Sequence, residues 1–178
     1  GKHRGGNALR VGYRFLEDGE ISVHDDRWLT YPWGVNGGLP GARSTKLLKR
    51  ADGTEELLPS KCDRIVVKEG DLLYFDTWGG GGWGDPTERP AERVRQDVDR
   101  GLVSREGAKR YGVVLTDDLQ VDEDATAALR DKLRKERGPA QVFDRGGSIE
   151  ELKARCLADT GFEPPVAPQF LRRAIADG

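Results

Sequence analysis

Apolar and polar positions alternate in the first 86 residues, whereas the remainder repeats apolar residues every three to four positions. Leu9, Val11, Tyr13 and Phe15 are separated by Arg10, Gly12 and Arg14, the period of two that sets one face of a strand on a core. Glu17-Asp18-Gly19-Glu20 follows as a turn with Asp-Gly at its centre, and Ile21 and Val23 return, so the pattern predicts a β-hairpin. A second hairpin is predicted from residues 45–49, the turn at Asp52-Gly53, and residues 55–58. Ile65-Val66-Val67 and Leu72-Leu73-Tyr74-Phe75 flank a further turn, Lys68-Glu69-Gly70-Asp71, and residues 31–43 read as a long irregular loop. These short strands predict part of a β-sandwich or barrel.

Past Pro86 the spacing turns helical. Val94, Val98 and Leu102 recur every four residues after Pro90, a residue at home in a first helical turn because its missing N–H is not needed there. A short helix is predicted from Ser104 to Tyr111, ended by Gly112 as C-cap. A third carries Ala125, Leu129 and Leu133 on one face, opens with Asp122, Glu123 and Asp124, and closes with Arg134, Lys135 and Arg137, a polarity that complements the helix dipole. Ser148 with Glu151 forms a capping box ahead of Ile149, Leu152, Cys156 and Leu157, and Gly161 stops that helix. Residues 164–168 are an extended proline spacer before a last helix, residues 169–176. The fold class expected is therefore α+β: a β-rich portion with glycine loops over residues 1–86, then a helical tail over residues 87–178. Helices shorter than about 12–15 residues are marginal unless packed, so the tail is expected to pack on partner subunits rather than form its own core.

Composition sharpens this division. Residues 1–86 hold 16 of the 24 glycines and all four tryptophans. Lys and Arg number 29 against 31 Asp and Glu, and no basic cluster stands free of acids, which argues against nucleic-acid binding by counterion release. No apolar run approaches the roughly 18 residues of a membrane span, so no membrane association is expected. Cys62 and Cys156 lie far apart, with neither a disulfide framework nor a zinc-knuckle spacing, and a reducing cytoplasm is the compartment expected. Methionine is absent. The chain thus reads as processed or as a piece of a longer one.

The candidate chemistry concentrates at two glycine-rich places. Lys2-His3-Arg4 stands before Gly5-Gly6, three potential cations beside backbone N–H groups able to cradle an anion. Gly79, Gly81 and Gly84 satisfy G-x-G-x-x-G within Gly79-Gly80-Gly81-Gly82-Trp83-Gly84-Asp85-Pro86. Asp85-Pro86 intrudes where a dinucleotide-binding helix starts, and no second parallel strand follows, so that reading is set aside. Positive φ and close approach to a neighbouring segment explain the run better. An alternative is a loop lining a pocket made with residues outside this chain, with Trp78 and Trp83 as apolar walls. His24 and Asp26 share a strand face as weak metal-ligand candidates, yet a closed site would need outside ligands. Neither cysteine has a base at an informative spacing. No catalytic residue is assigned; the pocket and loop candidates are Lys2, His3, Arg4, Gly79, Gly80, Gly81, Gly82, Trp83 and Asp85, and no metal ligand is assigned.

Taken in order, several segments resemble the hydantoinase B / 5-oxoprolinase family, which includes the large subunits of acetone and acetophenone carboxylases. They are Gly1-Lys2-His3-Arg4-Gly5-Gly6, Asp26-Arg27 with Pro32-Trp33-Gly34 and Gly37-Gly38, Leu58-Pro59-Ser60-Lys61, residues 68–71, and residues 79–86. Asp97-Val98, residues 101–104 and Tyr111-Gly112-Val113 extend the likeness to about residue 116. The resemblance implies a B-type subunit that works with an A-type, ATP-binding subunit. Such complexes spend ATP to activate a lactam or imide carbonyl for hydrolysis, or a ketone and bicarbonate for carboxylation. It also implies that this chain is the C-terminal piece of such a subunit, partnered by the N-terminal remainder. ATP and a divalent metal are expected elsewhere in the complex, with no cofactor held by this chain. The four tryptophans tilt the expected small-molecule substrate toward an aromatic ketone, with hydrolysis of a cyclic amide or a non-catalytic structural role as alternatives.

Overall fold

Two corners, rather than a hairpin, shape the start of the β-rich part. The computed structural model describes residues 1–164. Strand β1, Arg10–Arg14, and strand β2, Gly19–His24, are consecutive but do not pair. The predicted β1–β2 hairpin is therefore corrected. Its physical reason lies at Gly19, which does not adopt the positive φ that an Asp-Gly hairpin turn requires. Gly53 does adopt it, at φ 90°. There the predicted hairpin forms, between β4, Thr45–Lys49, and β5, Glu55–Leu57, with Leu47 opposite Leu57 and Lys49 opposite Glu55.

The loop of residues 31–43 is not wholly irregular. It contains β3, Gly34–Val35, which pairs antiparallel with β8, Phe143–Asp144, from the far side of Pro86. Strand β6, Lys61–Val67, pairs with β2, while β7, Leu72–Asp76, lies between β1 and β4. The turn at residues 68–71 thus crosses from one sheet to the other, and so does the link from β1 to β2. The two crossings are stitched together. Phe15 N–H donates to Asp71 O at 3.0 Å, Gly70 N–H donates to Phe15 O at 2.9 Å, and the Asp18 carboxylate accepts Glu69 N–H at 3.0 Å and Lys68 Nζ at 2.7 Å.

Between the sheet β1-β7-β4-β5 and the pair β2-β6 lies the apolar core: Val23, Leu48, Leu58, Val67 and Leu73, with Phe15, Ile21, Cys62 and Ile65 against it. Leu48 and Leu58 are wholly buried, each contributing about 2–3 kcal/mol of apolar burial.

Helix α1, Ala91–Asp99, follows Pro90 as predicted, although Leu102 falls outside it and stays exposed. Helix α2, Arg105–Ala108, continues as a 3₁₀ turn through Tyr111 and ends at Gly112 with φ 65°. Helix α3, Glu123–Arg137, is capped by Asp122, whose carboxylate accepts Ala125 N–H at 2.9 Å. Helix α4, Ile149–Thr160, carries the predicted capping box, and Gly161 ends it at φ 72°. The spacer and last helix predicted from residue 165 onward lie outside the described residues.

The tail has a small core of its own. Val94, Ala108 and Val113 are fully buried and pack with Val98, Tyr111, Leu115 and Val121 as a second core. Short helices become stable here because they bury apolar faces on one another and on their own chain. Arg89 donates to Lys2 O at 3.0 Å, Arg130 to Arg89 O at 2.6 Å, and Asn7 to Leu102 O at 3.0 Å.

Candidate functional site

Three extended stretches, residues 1–6, 33–41 and 79–84, lie side by side as a layer joined by main-chain hydrogen bonds. Trp83 exchanges two bonds with His3, at 2.9 and 3.0 Å, and Lys2 N–H donates to Gly84 O at 3.0 Å. On the other side Val35 N–H donates to Gly82 O, and Gly84 N–H to Val35 O, both at 2.9 Å. The stretches approach more closely than side chains permit. A Cβ built on Gly81 would overlap the Trp33 carbonyl, and one on Gly38 the Gly82 carbonyl. The close-approach reading holds at Gly80, Gly81 and Gly82 but not at Gly79, and the positive-φ reading holds at Gly84 alone, at 74°, and not at Gly79 to Gly82.

This packing also bears on phosphate binding. The N–H groups of Gly80, Gly82, Trp83 and Gly84 donate to Gly6, Leu39, His3 and Val35 carbonyls, so they are committed within the layer rather than presented to a nucleotide.

The residues singled out from the sequence separate into distinct roles. Lys2 Nζ sits 3.1 Å from Glu88, and the His3 ring packs on Trp83 with centroids 5.4 Å apart. Arg4 donates to Asn7 Oδ1 at 2.5 Å and Gly5 O at 3.1 Å, and its Nε is 3.4 Å from the buried Asp97 carboxylate, which Arg89 also meets at 2.8 Å. Lys2 and Arg4 therefore already have acids as partners and do not converge on one anion. Asp85 caps the 3₁₀ turn Pro86–Glu88 through Thr87 N–H at 2.7 Å and meets Arg137 at 3.0 Å. Burial works against its charge, but the Thr87 donors and the Arg137 and Arg134 guanidinium groups outweigh that and hold the carboxyl below its usual range.

A cavity of about 430 Å³ opens where this layer meets α2. Gly79, Gly80 and Gly82 line it, with Arg4, Asn7 and Tyr111 among the polar groups. Burial raises the Tyr111 hydroxyl pKa, so it stays protonated and able to donate. None of the four tryptophans lines this cavity. Trp78 and Trp83 are exposed, Trp28 is buried against Phe162, and Trp33 lies between Arg27 and Arg145 with Phe143 at its edge.

The sequence pattern did not reveal a buried ionic group. Lys46 alternates with Leu48 on the inward face of β4, and its ammonium contacts the Asp25 carboxylate, which also accepts the Ser44 hydroxyl. All three are buried, and burial pulls Lys46 down to about 8. The signal was a lysine at an inward strand position. His24 instead meets Asp63 at 3.0 Å on the surface, and among the described residues no group of three or more His, Cys, Asp or Glu is placed to hold a metal. Cys62 and Cys156 are free thiols, Cys156 fully buried in α4, and burial pushes the Cys62 thiol up. No helix among the described residues is long and apolar enough to cross a membrane.

With this geometry in view, comparison with known proteins places the chain in a family. Residues 1–86 match the Hydantoinase B/oxoprolinase family, and the chain belongs to it. It is 55% identical over 138 residues to the β chain of the caprolactamase of Pseudomonas jessenii, covering 73% of this chain and 23% of that one. It is 37% identical over 133 residues to the B-type component of a putative D-/L-hydantoinase from Pseudomonas sp. (strain NS671), covering 73% and 22%. The crystal structure of the ATP-dependent caprolactamase from P. jessenii superimposes with a TM-score of 0.62, over 74% of this chain and 24% of that one, with 31% identity in the structure-based alignment. The chain thus spans under a quarter of the length of these relatives.

Proposed function

We propose that this chain is the C-terminal region of a B-type subunit in an ATP-dependent enzyme that hydrolyses a lactam or related cyclic amide. The observation that carries this reading is the likeness to caprolactamase, which joins 55% sequence identity to a shared fold. An aromatic ketone has less support, since none of the four tryptophans lines the cavity beside the glycine layer.

In this reading the glycine layer is a rigid wall. It holds Arg4, Asn7 and Tyr111 at the cavity, where a guanidinium, an amide and a protonated phenol can orient a polar substrate. The activating chemistry, with ATP and a divalent metal, belongs to an A-type subunit and to the remainder of the B-type subunit.

Coexpression with the companion chains followed by an ATPase assay tests the proposal. ADP release should rise with a lactam, a hydantoin or 5-oxoproline in the absence of bicarbonate. ADP release that instead requires both a ketone and bicarbonate would replace hydrolysis with carboxylation.

A further inference from the structure

A second cavity, of about 700 Å³, lies across the ridge formed by residues 39–42 from the one described above, and its lining is strongly basic. Arg43, Arg110, Arg137 and Arg155 face it with a single carboxylate, Asp159. Arg137 is engaged by Asp85 at 3.0 Å, whereas Arg110 and Arg155 meet no acid within ion-pair distance among the described residues. Arg155 lies over one Tyr31 ring, 5.7 Å from its centroid, and Arg43 over the same ring at 5.3 Å.

Arg43 distinguishes this cavity from a merely basic surface. Its side chain is 9% exposed; Nη2 donates to Tyr31 Oη at 2.7 Å and lies 3.1 Å from Asp159, while Nη1 is buried with no hydrogen-bond partner. A guanidinium does not lose its proton in a protein, so a buried N–H without an acceptor carries a desolvation cost that an oxyanion would relieve. Like charges gathered in a cleft also focus a positive potential, and guanidinium groups match carboxylate and phosphate oxygens in geometry.

We propose that the cavity formed by Arg43, Arg110 and Arg155 beside Tyr31 binds a small oxyanion, either a free phosphate or the carboxylate of a small organic acid. The ligand sits beside the buried Arg43 guanidinium, and Arg155 and Arg110, which meet no acid among the described residues, hold it from α4 and from the turn after α2.

Isothermal titration of the full chain, with its companion subunits where they co-purify, tests this with inorganic phosphate and with glutarate in parallel, at matched ionic strength. Saturable binding of either probe is expected, and which one binds more tightly identifies the source of the oxyanion. Arg155→Gln and Arg110→Gln, both at exposed positions, should each weaken it about tenfold with an unchanged circular dichroism spectrum. Arg43→Gln should abolish it. Failure of both probes to saturate in the tens of millimolar, or affinity unchanged in both exposed variants, overturns the proposal. Loss of companion-subunit association in those variants without any small-anion binding overturns it too, and would assign the arginines to an acidic partner surface. Binding is read without turnover, so failure here leaves the lactam reading intact, and failure of the lactam assay leaves this site intact.

Discussion

The sandwich core and the glycine layer hold the same chain together by opposite means. In the core, side chains from β2 and β6 meet Leu48 and Leu73 from the facing sheet, and stability scales with apolar area and fit. In the layer, main chains touch directly, and side chains are excluded by contacts such as Gly81 against Trp33 and Gly38 against Gly82. The core can exchange one apolar shape for another at modest cost. The layer has no such latitude, because the obstructing atoms are backbone.

That contrast is broken most directly at Gly81. Gly81→Ala places a methyl inside the Trp33 carbonyl and is expected to cost about 5 kcal/mol, at the upper end for single substitutions, with loss of a cooperative melt as the readout. Next comes Lys46→Met, which leaves Asp25 buried without its ammonium. Chemical denaturation should show a loss of about 3–5 kcal/mol, and the double variant Lys46→Met with Asp25→Leu should recover most of it. Leu48→Ala, in the fully buried core, is expected to cost about 3 kcal/mol by the same measurement, whereas Leu48→Met should stay below about 1.5 kcal/mol.

Acid should loosen the corners before it loosens either packed region. Asp71 is held below its usual 3.8 by the Lys68 N–H first and then by the Ala51 N–H and Arg50, and Asp18 is lowered by Lys68 and the Glu69 N–H. Their folded values are depressed, so the stability they add is present above the ordinary carboxylate value and is lost as pH falls through the folded one. Hydrogen exchange at Phe15 and Gly70 should therefore accelerate below about pH 4, ahead of exchange at Leu48. The smallest effect expected is at Gly79, in the same glycine run, where an added Cβ meets nothing nearer than 3.6 Å. Gly79→Ala should change the melting free energy by less than about 1 kcal/mol, and a large loss there would mean that the whole run, rather than its backbone contacts, is intolerant.

Local signals were the ones legible in the chain. Asp52-Gly53 announced its hairpin because the turn conformation resides in those two residues, and Ser148 with Glu151 announced α4 because both halves of the box lie within one helical turn. The β1–β2 hairpin misled because Asp-Gly is only permissive. The partner of β1 lies some 60 residues away, in β7, where β1 adds as a largely exposed edge strand. At the candidate site, the glycines and Lys2, His3 and Arg4 were visible as motifs, but their neighbours were not. The engagement of Arg4 with Asp97 and of Asp85 with Arg137 depends on how the helices fold back onto the layer.

By itself, then, the sequence determined the α+β class, the helix caps, the Asp52-Gly53 turn and the family, because each rests on residue types in a fixed order or within a few positions of one another. Only the tertiary structure decided which distant strands pair, which backbone each glycine meets, that Lys46 lies buried on Asp25, and that four arginines spread from residue 43 to residue 155 meet at one cavity. The physical reason is that long-range partners are selected by the burial of whole faces and by the matching of charge across distant segments, quantities that no short stretch of the chain contains.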